Sequence, residues 1–170
     1  MRFLGVTPGT TTPASAPFSP LLAGGTVIVD QPGTLPTDYI LTSLGGTIDI
    51  NGKVSTHTGT FSGVGPLSFS NGTNGGQTTL EGLSTYTGPT TMQQGAAVFV
   101  NGSIASSSGL TVQSGGLIGG SGQLPGTTIA SGGVIAPGNS IGTLTVNGNN
   151  SLTAGRRPLR SRARRATASS

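Results

Sequence analysis

The chain has no cysteine and no tryptophan among its 170 residues, and only 7% of its residues are charged. Without cysteine, neither a disulfide framework nor a thiolate metal site can form. One histidine and four acidic residues are present, so the titratable groups that acid–base catalysis requires are scarce. These absences argue against an enzyme. We expect no catalytic residues, no cofactor and no metal site.

Long apolar segments are also missing. No run of about 18 apolar residues occurs, so the sequence predicts no transmembrane helix. Residues 1–5, MRFLG, carry one positive charge that is not followed by a long apolar stretch, and we expect no signal peptide there. Nowhere does apolar spacing match a helix of about ten residues or more.

Positive charge is concentrated at one end of the chain. Residues 156–170 contain six arginines and no acid, whereas residues 1–155 contain two basic and four acidic residues. We expect this tail to be disordered and dispensable for the fold. Arginines can contact phosphates, but the tail has no aromatic residue to stack on bases. The sequence therefore predicts no specific nucleic-acid partner.

Glycine is abundant, and the most informative pattern in the chain is a repeat that ends in glycine turns. Residues 110–116 read LTVQSGG, 127–133 read TTIASGG and 144–148 read LTVNG, so the starts are 17 residues apart. A second apolar pair follows at 117–118 and 134–135, with a weaker form at 151–152. A short strand, a glycine turn and another strand at a fixed period indicate a solenoid.

The repeat leaves two all-β architectures open. Asn-Gly turns favour an antiparallel sandwich of hairpins, whereas a fixed register favours a parallel β-helix, which we prefer. Further short strands are predicted at 26–29, 47–50, 67–69, 78–80 and 97–100. Residues 40–152 would form about six rungs of about 17–20 residues. Alternation predicts an inner column of Val112, Ile129 and Val146, and an outer column of Thr111, Thr128 and Thr145.

Composition divides the chain into four regions. Residues 1–23 are rich in threonine and proline and predict an extended arm. Residues 24–75 predict irregular early β-coils, and residues 76–152 the regular β-helix repeats. Residues 153–170 form the arginine-rich tail. A coil that ends at residue 152 leaves an unpaired edge, through which self-association is expected.

The individual polar residues are expected to have structural positions, at the surface or in turns. His57 is expected at the surface or in a turn, and Asp49 on the outer face of a strand. The sequence GGSG at 119–122 predicts a turn, because no helix follows to support a phosphate loop. Asn71, Asn101 and Asn149 are expected in turns. Calcium-binding glycine repeats need an aspartate in each repeat, and none follows Asp49.

Three segments resemble the passenger domain of Gram-negative autotransporters. Residues 77–95, QTTLEGLSTYTGPTTMQQG, resemble the passenger-associated transport repeat, and VNGSIAS at 100–106 resembles the segment that follows it. Residues 136–148, APGNSIGTLTVNG, are similar to a motif found late in the passenger. The residues that carry the resemblance, all with structural roles, are Thr85, Tyr86, Thr87, Gly88, Thr90, Thr91, Gly95, Pro137, Gly138, Asn139, Ser140 and Gly142.

The resemblance implies a right-handed parallel β-helix displayed outside the outer membrane, at the cell surface or extracellularly. It also implies a signal peptide upstream and an outer-membrane barrel downstream. We expect this chain to be a fragment with neither, ending in the tail of a truncated or frame-shifted product.

The implied function is a structural stalk segment that aids passenger folding and secretion. Each rung would template the next as the chain emerges. An alternative is an adhesin-type surface, where the threonine column contacts a host glycan or surface protein. A remnant of a β-helical polysaccharide hydrolase is the least favoured alternative, because the four acids are scattered along the chain.

Overall fold

The computed structural model describes residues 19–73, 75–138 and 143–153, and these residues form β-strands and no helix. Most of the predicted arm, residues 1–18, and the tail from residue 154 onward lie outside the described residues. The strands are β1 (Leu21–Leu22), β2 (Thr26–Ile28), β3 (Gly33–Leu35), β4 (Tyr39–Leu41), β5 (Gly46–Asp49), β6 (Val54–His57), β7 (Phe61–Gly63), β8 (Leu67–Ser70), β9 (Gln77–Leu80), β10 (Thr90–Met92), β11 (Ala97–Val100), β12 (Leu110–Val112), β13 (Leu117–Gly120), β14 (Gln123–Ile129), β15 (Val134–Pro137) and β16 (Thr145–Leu152).

The strands stack into three parallel sheets. One has the order β1-β4-β7, a seven-stranded sheet has the order β2-β5-β8-β10-β12-β14-β16, and a six-stranded sheet has the order β3-β6-β9-β11-β13-β15. Successive strands of the chain lie in different sheets, so the chain coils upon itself through about six turns. The predicted fold class, an all-β parallel β-helix, is confirmed. The seven-stranded sheet also runs without a break from the early coils into the repeat region.

Rung length varies along the solenoid. The predicted 17-residue step is confirmed where Leu110 pairs with Thr127. It widens to 20 residues between Thr90 and Leu110, and to 23 between Leu67 and Thr90. The predicted limit of about 20 residues is therefore wrong for several rungs. Most of the extra residues lie between a strand of the six-stranded sheet and the next strand of the seven-stranded sheet, where the early rungs contain β4 and β7.

The last rung differs from the prediction. Val112 pairs with Ile129 as expected, but Ile129 pairs with Leu152, and Val146 pairs with Leu124. The cause lies in β14, a seven-residue strand whose register shifts between Pro125 and Thr127. Because β14 is long, it offers β16 two apolar positions to pair with: Leu124 pairs with Val146, and Ile129 pairs with Leu152. Residues 151–152 consequently lie in the seven-stranded sheet, and Leu152 is 63% exposed.

Stacked side chains fill the interior. One column runs through the seven-stranded sheet and is almost completely buried; it comprises Ile48, Phe69, Met92, Val112 and Ile129. Burial of each such side chain contributes about 1.5–3 kcal/mol. Aromatic rings occupy the wider early rungs, where Tyr39 stacks on Phe61 with ring centroids 5.5 Å apart. Each rung therefore provides the surface that the next one covers.

Asparagines fix one corner of the solenoid. Asn71 is buried, accepts a hydrogen bond from the backbone nitrogen of Gly52 (2.9 Å) and donates to the carbonyls of Gly75 (2.6 Å) and Gly95 (3.2 Å). One side chain thus joins three rungs. The expectation of turn asparagines is correct for Asn71 and Asn101, but Asn149 lies within β16.

Candidate binding surface

Every strand of the seven-stranded sheet carries a hydroxyl residue at the same position on its outer face. The pairing register aligns these residues in a single row, which we call the hydroxyl ladder. Its members are Thr26, Thr47, Ser68, Thr91, Thr111, Thr128 and Ser151. All of them are exposed or half-buried. Alternation explains their orientation, because the residues on either side of each in the middle strands point into the core.

The observed hydroxyl ladder differs in part from the threonine column that the sequence predicts. Thr111 and Thr128 are neighbours as expected. Thr145 instead pairs with Gln123, and Ser151 takes the position beside Thr128. The pattern in the sequence also missed the four members before Thr111. Their spacing varies with rung length, so no fixed period connects them.

A second outward row lies two residues after each ladder member, at the end of a strand or directly after it. This row is mixed and mostly polar; it comprises Ile28, Asp49, Ser70, Gln93, Gln113, Ala130 and Thr153. We call the ladder and this row together the outer strip. Asp49 is its one ionisable residue, placed outward as predicted, and accepts a hydrogen bond from the backbone nitrogen of Asn51 at 3.0 Å.

A shallow cleft of about 310 Å³ borders the ladder near its later rungs. Small residues at the preceding corner, among them Gly109 and Gly126, leave this space. Ladder residues Thr111 and Thr128 form one side of it. The complete lining is Pro89, Ser108, Gly109, Leu110, Thr111, Gly126, Thr128 and Asn149. It contains hydroxyl and amide groups but no charged side chain.

The residues of the transport-repeat resemblance are split between interior and surface. Tyr86, Gly88 and Thr90 are buried, whereas Thr85 and Thr87 are exposed. Thr91 belongs to the hydroxyl ladder, and Gly95 occupies a turn with a φ of 81°. Pro137 ends β15 and is followed by Gly138, also with a φ of 81°. Asn139, Ser140 and Gly142 lie outside the described residues.

Buried hydroxyls connect this segment to the following rung. The Tyr86 hydroxyl lies 2.6 Å from Thr90 Oγ1, which lies 2.9 Å from Ser107 Oγ. Ser107 Oγ also lies 2.8 Å from the carbonyl of Gly88, to which it donates. Burial raises the pKa of Tyr86, and the nearby hydroxyls of Thr90 and Ser107 lower it by less. Tyr86 is therefore a neutral structural donor.

The expectation for His57 is wrong. His57 ends β6, is 1% exposed and lies between Leu35 and Leu80 in the six-stranded sheet. Its ring centroid is 5.9 Å from that of Phe61, and neither ring nitrogen has a hydrogen-bond partner. Burial lowers its pKa to about 4. The sequence does not indicate this orientation. Apolar Val54 would be expected to face the core, which would place His57 on the outer face, but Val54 is 57% exposed.

Three acidic residues make separate hydrogen bonds. Asp38 accepts from the backbone and hydroxyl of Thr60 at 2.7 and 2.9 Å, which lowers its pKa. Asp49 accepts from the Asn51 backbone, and Glu81 accepts from the Asn101 amide at 2.9 Å. Across residues 19–73, 75–138 and 143–153, no group of three or more histidine, cysteine or acidic residues could hold a metal ion.

No protein-family profile matches the chain, and neither the curated proteins nor the solved structures contain a match. In the part of the chain that the structure describes, no helix is long and apolar enough to cross a membrane.

Proposed function

We propose that the chain is a structural, non-catalytic segment of an autotransporter-type passenger, a β-helical stalk displayed at the bacterial cell surface. The observation that carries this proposal is the continuous seven-stranded parallel sheet. It extends through every turn of the solenoid and gives the segment the form of a rod. The sequence resemblance at 77–106 and 136–148 supplies the link to autotransporters.

The interior of the rod suits stepwise folding, one rung at a time. A rung alone leaves both sides of Met92 or Val112 and both edges of its backbone uncovered, and the two adjacent rungs cover them. Nearest-neighbour stabilisation of this kind lets a solenoid grow from whichever rung forms first. A passenger that emerges progressively from a pore could therefore fold rung by rung outside the cell and aid its own secretion.

A display experiment tests the proposal. Residues 19–153 would be placed in the passenger of an autotransporter, between its signal peptide and its barrel, and surface exposure measured by protease accessibility. Val112→Asp inserts a charge into the core, whereas Thr111→Asp places the same charge on the outer face. We expect display of the original segment and of Thr111→Asp, with strongly reduced display of Val112→Asp. Equal display of all three would contradict a folding role.

A second function is favoured by the hydroxyl ladder. An adhesin-type surface needs a regular outward array that a host glycan or surface protein can contact, and the outer strip is such an array. A polysaccharide hydrolase is less well supported. It needs two carboxylates that act together, whereas Asp38, Asp49 and Glu81 each accept a hydrogen bond from a different neighbour.

A further inference from the structure

We propose that the outer strip binds a neutral, linear polysaccharide laid along the axis of the solenoid. This proposal rests on the adhesin-type function and specifies its ligand. The outer strip consists of the hydroxyl ladder and the mixed row beside it, and it borders the 310 Å³ cleft at Thr111 and Thr128.

The spacing of the ladder is the first argument. Parallel strands lie about 4.8 Å apart, so the seven hydroxyls form a straight row of roughly 29 Å, with one group per rung. A ligand that uses the whole row must itself repeat at short intervals along a line. An extended polysaccharide presents hydroxyls on every sugar unit, and its rise per unit is similar to that of one rung.

Charge is the second argument. Within the described ranges the only cation is Lys53, which is not part of the outer strip, and Asp49 is the strip's one ionisable group. Nucleic acids and acidic polysaccharides need basic side chains to neutralise their charge. The strip offers hydroxyl and amide groups instead, which match the hydroxyls of an uncharged sugar.

The absence of anchor residues on the strip argues against a protein ligand. Protein interfaces depend on a few buried aromatic or arginine side chains. Neither type occurs in the two rows of the strip. Its large apolar residue is Ile28, 43% exposed and on the first strand of the sheet. Neutral hydrogen-bonding groups spread over seven strands suit many weak contacts with a polymer.

The cleft gives the strip one deeper position. It is shallow and open to solvent, and its volume of about 310 Å³ leaves room for one sugar ring to lie against it. Pro89 offers an apolar surface for the carbon face of the ring, while Ser108 and Asn149 can bond its hydroxyls. Thr111 and Thr128 then continue the contact onto the ladder. The cleft would hold one unit, and the ladder would hold the units that follow.

The test measures binding of linear oligosaccharides to the full chain. The probes are cellohexaose, maltohexaose and mannohexaose, their trisaccharides, and an acidic hyaluronan hexasaccharide. We expect at least one neutral hexasaccharide to bind and its trisaccharide to bind at least tenfold more weakly. The six arginines of residues 156–170 can attract the acidic probe, so any binding of that probe should not change when the ladder hydroxyls are removed. Absence of binding by all neutral probes, or equal binding of tri- and hexasaccharides, would overturn the proposal.

Matched variants locate the site. Thr91→Val, Thr111→Val and Thr128→Val together remove three ladder hydroxyls while keeping the β-branched shape. Loss of three neutral hydrogen bonds should weaken the hexasaccharide by about tenfold or more. The control replaces three outward threonines of the six-stranded sheet, aligned in its register, by valine: Thr34, Thr56 and Thr79. Equal loss in both triple variants would contradict the assignment.

An adhesion assay tests the adhesin function separately from the identity of its ligand. Beads coated with the full chain would be applied to host cells with and without an excess of the bound hexasaccharide. Inhibition by the sugar supports the proposal. Adhesion that the sugar does not reduce would retain the adhesin function and overturn the proposal that its ligand is this polysaccharide. No adhesion would refute the adhesin function, while the binding measurement still decides the ligand.

Discussion

The hydroxyl of Tyr86 lies 2.6 Å from that of Thr90, and both are inside the solenoid. Ser107 extends this contact to the next rung and back to the carbonyl of Gly88. A buried polar network of this kind stabilises a fold only while its members remain paired. This network explains the TYTG sequence at residues 85–88. The tyrosine ring fills the core, and its hydroxyl bonds Thr90 to hold the corner in place.

Removing the Tyr86 hydroxyl should therefore weaken the solenoid. We expect Tyr86→Phe to lower the free energy of unfolding by about 1 kcal/mol through the lost hydrogen bond. Tyr86→Ala should lower it by about 3–5 kcal/mol, because a cavity is added. Urea unfolding followed by circular dichroism measures both. Thr85→Val, at the exposed neighbouring position, should change stability by less than about 0.5 kcal/mol; a larger effect there than for Tyr86→Phe would contradict the network.

Acid should destabilise the fold through His57. Its pKa is about 4 in the folded chain and about 6.5 when unfolded, so the unfolded state takes up a proton first as the pH falls. Stability is therefore highest above pH 6.5 and declines towards pH 4, by about 3 kcal/mol in total. Unfolding measured between pH 7.5 and 4 tests this. His57→Leu should flatten the decline, and an equally steep decline in that variant would show that another group is responsible.

Gly88 should tolerate no side chain. A Cβ there would overlap the carbonyl of Gly65 in the rung below, whereas a Cβ at Gly72 would meet no atom within 4 Å. Overpacking against backbone costs about 1–3 kcal/mol or more. We expect Gly88→Ala to lower the melting temperature by several degrees and Gly72→Ala to leave it nearly unchanged. Similar melting of the two variants would show that the corner adjusts.

Disulfide formation can test the register of the last rung. Thr128 pairs with Ser151, and neighbouring strand positions are close enough for a disulfide. The natural chain has no cysteine, so a double variant gives one possible bond. Thr128→Cys with Ser151→Cys should crosslink on oxidation, as judged by gel mobility. Thr128→Cys with Thr145→Cys should not, and the reverse result would restore the simple 17-residue period.

Strand positions were well predicted where alternation was clear. Ala97–Val100 and Leu110–Val112 are strands with the predicted bounds. Short strands outside the repeat, such as Leu21–Leu22 and Tyr39–Leu41, were missed. Two or three residues give too little alternation to recognise without a repeated copy in the sequence. Leu21–Leu22 also shows that the first turn begins inside the segment interpreted as an arm. These strands exist because neighbouring rungs supply their hydrogen bonds, which no local pattern records.

The sequence by itself determined the parallel solenoid, because strand alternation, glycine turns and the 17-residue step from Leu110 to Thr127 are local features of the chain. Only the tertiary structure decided the register of β16, the burial of His57 and the length of the hydroxyl ladder. Each depends on how many residues a corner absorbs and on which side of a strand meets the core. Those outcomes are set by the packing of one rung on another, so distant residues such as Thr26 and Ser151 share one row only after the whole chain has coiled.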